Sequence, residues 1–329
     1  MHSEFLLIKR LQKIFSNADS SILCGIGDDC AVYKPHPDKQ ELLTVDSFVE
    51  DVHFKRKWTH ARQAGVKALA VNLSDIAAMG GKPRVALVSL TIPQDTDENW
   101  VCQFCRGVQS LGKKWGMSIV GGNISRAAQF SSHITVLGEA LKNKIKYRKG
   151  ARVGDVIYVS GPLGLPHLAL YCLENNLRVP PHALLAFNSP APCVKEGLFL
   201  GALPQVTSMI DLSDGLLGDL SHVLKASKVG AQIELSKIPV HKDFQADCVK
   251  AGLDWRQALL LGGEDYKLLF TVKALGNDLF QKKMNRHSHA FWPVGVVVNA
   301  SKGLIVLDEE GNNYQGVHGS FDHFNTVHS

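Results

Sequence analysis

The sequence predicts an α+β protein of two domains, and three observations carry that reading. Segments with helical periodicity and short apolar strand-like runs are interspersed in both halves of the chain. At 329 residues, 45% hydrophobic and 20% charged, the chain is long enough for two cores and has ordinary globular usage. A polar, turn-rich stretch from Lys142 to Gly154 lies between the halves, which places the boundary near residue 145 and gives domains 1–145 and 146–329.

The first half opens on an amphipathic segment, Ser3 to Phe15, with Phe5, Ile8, Leu11 and Phe15 on one face; it reads as a docking helix. Leu42 to Val45 reads as a strand that delivers Asp46 at its end, and His53 follows a loop. Ala64 to Gly81 is Ala/Leu-rich with a glycine stop, which predicts a helix whose Ala68, Asn72, Asp75 and Met79 share a stripe. Val85 to Ile92 is a buried strand closed by Pro93, Asp97 to Trp115 a helix, and Ser118 to Val120 a short strand ending in Gly121-Gly122-Asn123. The alternation from His133 to Ala140 gives a further strand.

The second half begins with a strand, Val156 to Ser160, and a helix from Leu165 to about Asn175. Gly161-Pro162-Leu163-Gly164 between them reads as a strand-to-helix turn rather than a phosphate loop, because the Lys-Ser ending of a P-loop is missing. Pro180 to Pro192 reads as a loop and Val194 to Leu203 as a helix. Strands are expected at Gln232 to Ile238, Lys267 to Val272, Pro293 to Val298 and Leu304 to Leu307, with helices between.

Composition excludes several functions. The formal net charge is +5, but Lys and Arg are scattered and the densest patches, Lys55-Arg56-Lys57 and Lys142 to Arg148, are too short for a nucleic-acid surface. Seven cysteines without a secretory start point to reduced thiols and a cytoplasmic protein. Cys102 and Cys105 form a lone C-x-x-C in a helical stretch with no second pair to complete a zinc set, so they read as core residues. No apolar run reaches the roughly 20 residues that span a bilayer.

The chemistry lies in four acidic knots beside apolar runs. They are Gly25-Ile26-Gly27-Asp28-Asp29, the helix carrying Asp75, Asp211-Leu212-Ser213-Asp214-Gly215, and Gly262-Gly263-Glu264-Asp265-Tyr266. Each alone has a plain alternative: a solvated turn for the Asp28-Asp29 pair, N-capping by Ser213 or Asp214 for the third. Adjacent carboxylates repel, and a carboxylate within an apolar helix is costly to bury. Four recurrences without a matching basic run therefore argue for carboxylates that gather hard cations such as Mg2+ and, through them, phosphates.

On these knots, with Val45-Asp46 and His53-Phe54, Lys67 to Asp75, and the closing Phe321-Asp322-His323-Phe324, the chain resembles the thiamine-monophosphate kinase family nearly end to end. That family sits in the ATP-binding superfamily of aminoimidazole ribonucleotide synthetase. The resemblance implies that superfamily's two-domain architecture, with N-terminal domains pairing across a homodimer and the C-terminal domain completing each active site. It implies ATP-dependent phosphorylation of thiamine monophosphate to thiamine diphosphate with Mg2+. Metal positions carry over to Asp28, Asp29, Thr44, Asp46, Asp75, Asn123, Asp211 and Asp214, ATP positions to Gly122, Asn123, Arg148 and Ser213, and substrate positions to His53, Glu264 and Phe321. No general base is implied, because the acceptor is itself an anionic phosphate.

Two departures stand out. The family's Gly-Gly-Asp-Thr-Thr reads here Gly121-Gly122-Asn123-Ile124-Ser125, so a neutral amide replaces an expected metal-binding aspartate, and Val45 stands where threonine is usual. The alternatives are a sister synthetase activity, or a nucleotide-binding regulator that has lost its chemistry.

Overall fold

The computed structural model describes residues 4–15, 20–26, 30–287 and 290–314. The chain divides into two compact units: residues 1–76 with 81–143, and residues 77–80 with 144–329. Among the described residues no helix is long and apolar enough to cross a membrane.

The first unit contains α1 (Glu4–Ile14), β1 (Ile22–Cys24), β2 (Val32–Tyr33), β3 (Gln40–Val49), α2 (Ala61–Ala78), β4 (Lys82–Ile92), α3 (Glu98–Lys114), β5 (Ser118–Arg126) and β6 (Ser131–Ala140). Its main sheet runs β3-β6-β4-β5, with β4 and β5 parallel and the other pairs antiparallel. Period-two alternation sorts the sheet: Leu42, Phe48, Val88, Leu90, Ile134 and Val136 are buried. Leu43, Val45 and Leu87 point to the opposite face and are 71%, 60% and 38% exposed. An aromatic cluster fills one end of the core, with Phe48 stacked on Phe54 at 4.8 Å and Trp100 edge-on to Phe130 at 4.8 Å. Of the stripe expected from Ser3 to Phe15, Leu11 and Phe15 are buried, with Leu7 beside them, and Ile8 is only half-buried.

The second unit contains β7 (Val156–Val159), α4 (Leu165–Glu174), α5 (Pro181–Asn188), α6 (Val194–Gly201), β8 (Val206–Asp211), α7 (Leu216–Ser227), β9 (Gly230–Glu234), α8 (Phe244–Ala251), α9 (Trp255–Leu261), β10 (Leu268–Val272), α10 (Asn277–His287), β11 (Trp292–Val298) and β12 (Leu304–Leu307). Its six-stranded sheet has the order β12-β9-β11-β7-β10-β8, parallel only between β12 and β9. One face packs on α4, α5, α7, α8 and α9 through Ile157, Leu168, Ile210, Leu220, Phe244 and Leu259. The mixed sheets and helices of both units are the α+β class expected.

Four local expectations need correction. Asp46 lies within β3, not at its end, because β6 pairs with β3 along its whole length from Gln40 to Val49. Strand β5 continues through Gly121-Gly122-Asn123 to Arg126, since β4 supplies ladder partners as far as Ile92. The stretch 180–192 holds helix α5, where proline at the first position costs nothing because that N–H has no helical partner. Strand β9 ends at Glu234 and a short 3-10 turn, Leu235–Lys237, follows.

Candidate functional site

In the first unit the acidic site is assembled from two elements far apart in sequence. Alternation along β3 turns Thr44 and Asp46 to the same side as the buried Leu42 and Phe48, where α2 lies. From α2, the Thr44 hydroxyl meets Asp75 Oδ2, and Asn72 Oδ1 accepts the backbone N–H of Asp46 at 3.2 Å. Asn72 is fully buried, and its Nδ2 donates to the Ala68 carbonyl at 3.2 Å, one turn back. The stripe Ala68-Asn72-Asp75 thus presents polar atoms to one strand. Burial, followed by the charge of Asp75, pushes the Asp46 carboxyl up to about 6. Two carboxylates held so that one is reluctant to ionise, with a hydroxyl and an amide beside them, form an all-oxygen donor set suited to a hard divalent cation.

In the second unit two knots of the sequence lie side by side. Strand β8 ends at Asp211, opposite Leu268 of β10. Beyond the strands the backbones stay paired: Glu264 N–H donates to Ser213 O at 2.8 Å, Tyr266 N–H to Leu212 O at 2.7 Å, and Leu212 N–H to Lys267 O at 2.8 Å. Gly215, with φ +103°, makes this approach possible, since a Cβ there would stand 2.6 Å from the Leu261 carbonyl oxygen. Glu264 and Tyr266 take left-handed φ of +67° and +48°, a strained geometry that the paired loop holds in place.

The capping alternative for Ser213 and Asp214 fails, because the N-cap of α7 is Gly215, with no side-chain cap. The direction is reversed: Ser213 N–H and Asp214 N–H donate to Asp219 Oδ2, at 2.9 and 3.0 Å. Burial and then the neighbouring Asp211 push Asp219 up to about 8, against the pull of those two N–H groups. Asp265 is likewise raised by burial, to about 7, while both its oxygens accept from Gly164 N–H at 2.9 and 3.2 Å. Asp211 and Asp214 bring further carboxylates to this turn, and Asp219 holds their loop.

The remaining candidates are scattered. His53 Nδ1 accepts the Val49 N–H at 3.1 Å, and its ring lies 6.0 Å from that of Phe48 in the aromatic cluster. Gly122 and Asn123 are exposed on β5, at the opposite edge of the sheet from β3. The ladder aligns Ser47, His133, Ser89 and Asn123 in one row, so within one chain Asn123 is not brought to Asp46. Arg148 is exposed. Asp28, Asp29 and Phe321 lie outside the described residues.

Sequence reasoning missed Asn72 as the tie to Asp46, Asp219 and Asp265 as loop holders, and His167 of α4, whose burial lowers its pKa against the raising charge of Glu264. A polar residue inside an apolar helical run was the available signal for Asn72 and Asp219. Cys102 and Cys105 are both buried on α3, where burial pushes their thiols up, and they are inert core groups.

Residues 27–140 match the N-terminal domain of AIR synthase related proteins and residues 152–308 their C-terminal domain, which defines the class. The chain is 34% identical over 332 residues to the thiamine-monophosphate kinase of Escherichia coli K12, covering 98% of each. The thiamine-monophosphate kinase from Stenotrophomonas maltophilia K279a superposes with TM-score 0.81 at 30% identity, covering 95% of this chain and 98% of that one. AaThiL complexed with AMPPCP and TMP superposes with TM-score 0.76 at 30% identity over 98% and 97%. The chain belongs to the thiamine-monophosphate kinase family.

Proposed function

We infer that the protein transfers the γ-phosphoryl group of ATP to thiamine monophosphate, giving thiamine diphosphate and ADP. Family membership along nearly the whole chain supports this, as does the complex of AaThiL with AMPPCP and TMP. The observation that carries it is the Thr44-Asp46-Asn72-Asp75 cluster, a partly buried set of oxygen donors in which burial, and then the charge of Asp75, pushes Asp46 up to about 6. In the transfer, an oxygen of the thiamine monophosphate phosphate attacks the γ-phosphorus, and the bond to the β–γ bridging oxygen breaks. Phosphoryl transfer of this kind needs positioning and charge stabilisation more than covalent help. The attacking oxygen is already anionic, so no side chain has to remove a proton.

Asp46, Asp75 and Thr44 would hold Mg2+ in the first unit, and Asp211 and Asp214 in the second. The bound ions would neutralise the triphosphate. Asp28, Asp29 and Asn123 are further metal ligands on this reading. Gly122, Arg148 and Ser213 contact ATP, and His53, Glu264 and Phe321 contact the acceptor. Purified protein with ATP, Mg2+ and thiamine monophosphate should yield thiamine diphosphate and ADP in equal amounts; ADP without thiamine diphosphate sinks the assignment.

The working form is a homodimer built through the first unit. Leu43, Val45 and Leu87 form an exposed apolar face on a sheet whose two edges, β3 and β5, are open among the described strands. Two such sheets joined edge to edge would close an eight-stranded barrel, a size whose interior side chains fill. That closure sets the partner's β5 beside β3, which would bring Asn123 to the edge that carries Asp46. Val45→Asp should yield monomers in light scattering, and an unchanged dimer would refute this interface.

A further inference from the structure

Outside the acidic clusters, the chemistry that remains unexplained sits at the entry to α5 and α8. His182 occupies the first turn of α5, directly after Pro180-Pro181, and its ring stacks on that of His241 with centroids 4.1 Å apart and planes at 17°. His241 lies in the segment entering α8, where Phe244 N–H donates to His241 O at 2.9 Å and fixes the turn. Asp243 occupies the N-cap position of α8, yet its carboxylate makes no capping bond. One ligand atom from each of His182, His241 and Asp243 lies within 4.8 Å of the others, a grouping that no other three such residues were found to make among the described residues.

The hydrogen bonding leaves these groups underused. His182 Nε2 is covered from solvent without a hydrogen-bond partner. Asp247 Oδ2 is 3.2 Å from it, within ion-pair range but outside hydrogen-bonding geometry. His241 Nδ1 accepts a long 3.3 Å bond from Asp243 N–H and lies 3.7 Å from Asp243 Oδ2. Proline before His182 and the helix entry after His241 hold both backbones, so the side chains alone have to adjust. Tetrahedral ligands about 2.0–2.1 Å from an ion stand roughly 3.3 Å apart, so these atoms need to close by about 1.5 Å at most. With side chains 27%, 31% and 53% exposed there is room for that movement, in which the stacked imidazoles open from their near-parallel arrangement to aim a nitrogen each at one ion.

We propose that His182, His241 and Asp243 bind a borderline divalent transition ion such as Zn2+, separate from the Mg2+ chemistry. Two imidazoles and one carboxylate select such an ion over Mg2+, which prefers all-oxygen shells. The ion clips the start of α5 to the entry of α8, two helices that both pack on α4. Binding to the folded state alone raises stability by linkage.

The test is a Zn2+ titration by calorimetry, with Co2+ absorption as a second probe, on tag-free, chelator-stripped full chain in excess Mg2+. One Zn2+ per chain in the low micromolar range is expected, with a rise in melting temperature. His182→Ala and His241→Ala should each weaken it by at least about tenfold, since even loss of an outer partner to a ligand costs roughly 10–100-fold. Where an alanine variant fails to fold, His182→Gln and His241→Gln take its place. Equal Zn2+ affinity in the wild type and the double variant overturns the site, as does an effect from only one histidine or an affinity weaker than about 1 mM.

Discussion

The two acidic clusters solve one electrostatic problem in opposite ways. Asp46 and Asp75 come from a strand and a helix 29 residues apart in sequence, and the Asn72 amide oxygen ties the backbone N–H of Asp46, not its carboxylate. Asp211, Asp214 and Asp219 lie within a single strand-to-helix turn, and Asp219 is compensated by two backbone N–H groups. On the proposed function the first cluster would be completed by a cation from outside, whereas the second carries part of its compensation in its own backbone. Charge removal should therefore affect function most in the first and loop geometry most in the second.

The largest effect is expected from Asp75→Asn. It removes one anionic ligand while relieving repulsion on Asp46, so thiamine diphosphate formation should fall by about 100-fold or more, as for loss of a central electrostatic contributor. Metal-free thermal stability should hold or rise. Near-normal turnover at millimolar Mg2+ would remove Asp75 from the metal site.

A pH titration of stability separates the clusters further. Both Asp46 and Asp219 are raised in the folded state, so the stability they lend is fully present below the unfolded value of 3.8. It is lost as pH rises through about 6 for Asp46 and about 8 for Asp219, at no more than about 1.4 kcal/mol per pH unit for each group. In chelator, the melting temperature should decline from pH 4 to 8. Asp219→Asn keeps an oxygen for the Ser213 and Asp214 N–H groups and should flatten the part above about pH 7, beyond the range of Asp265; an unaltered slope there would mean Asp219 is not the group responsible.

Backbone substitution probes the second cluster alone. Gly215→Ala combines φ +103° with a contact of 2.6 Å to the Leu261 oxygen, and should cost about 1–3 kcal/mol with a loss of turnover. Gly154, at φ +91°, meets nothing within 4 Å, so Gly154→Ala should cost less and leave turnover intact. Equal losses by chemical denaturation would show that the approach of the two loops is not what Gly215 serves.

The smallest effect is expected at Asn123. On the proposed dimer, Asn123→Asp would add a charge beside a site that is already anionic, and should lower the Mg2+ concentration for half-maximal rate while leaving affinity for thiamine monophosphate nearly unchanged. An unchanged Mg2+ dependence would place Asn123 away from the metals. Rescue of an inactive parent by the aspartate would favour the reading of lost chemistry.

Much of this was legible because local signals agreed with the fold. The run ending at Asp211 is strand β8, and the Ala/Leu-rich segment carrying Asp75 is α2. Where the reading slipped, a partner element decided the outcome. Asp46 and Asn123 sit inside strands because β6 and β4 continue the ladders past polar residues. Helix α5 was hidden by its prolines, which break helices elsewhere but suit a first turn. The pairing of residues 211–215 with 262–266 is tertiary, and no periodicity encodes it.

The central claim is that the carboxylates of the first cluster are completed by a cation shared with ATP. Its most direct test is the melting temperature of the purified protein with Mg2+ alone, ATP alone and both together, in the wild type and in Asp75→Asn. A shared site predicts a joint shift well beyond the sum of the separate ones in the wild type, collapsing toward the sum in the variant. Additive shifts in the wild type, or an equal excess in Asp75→Asn, would contradict it.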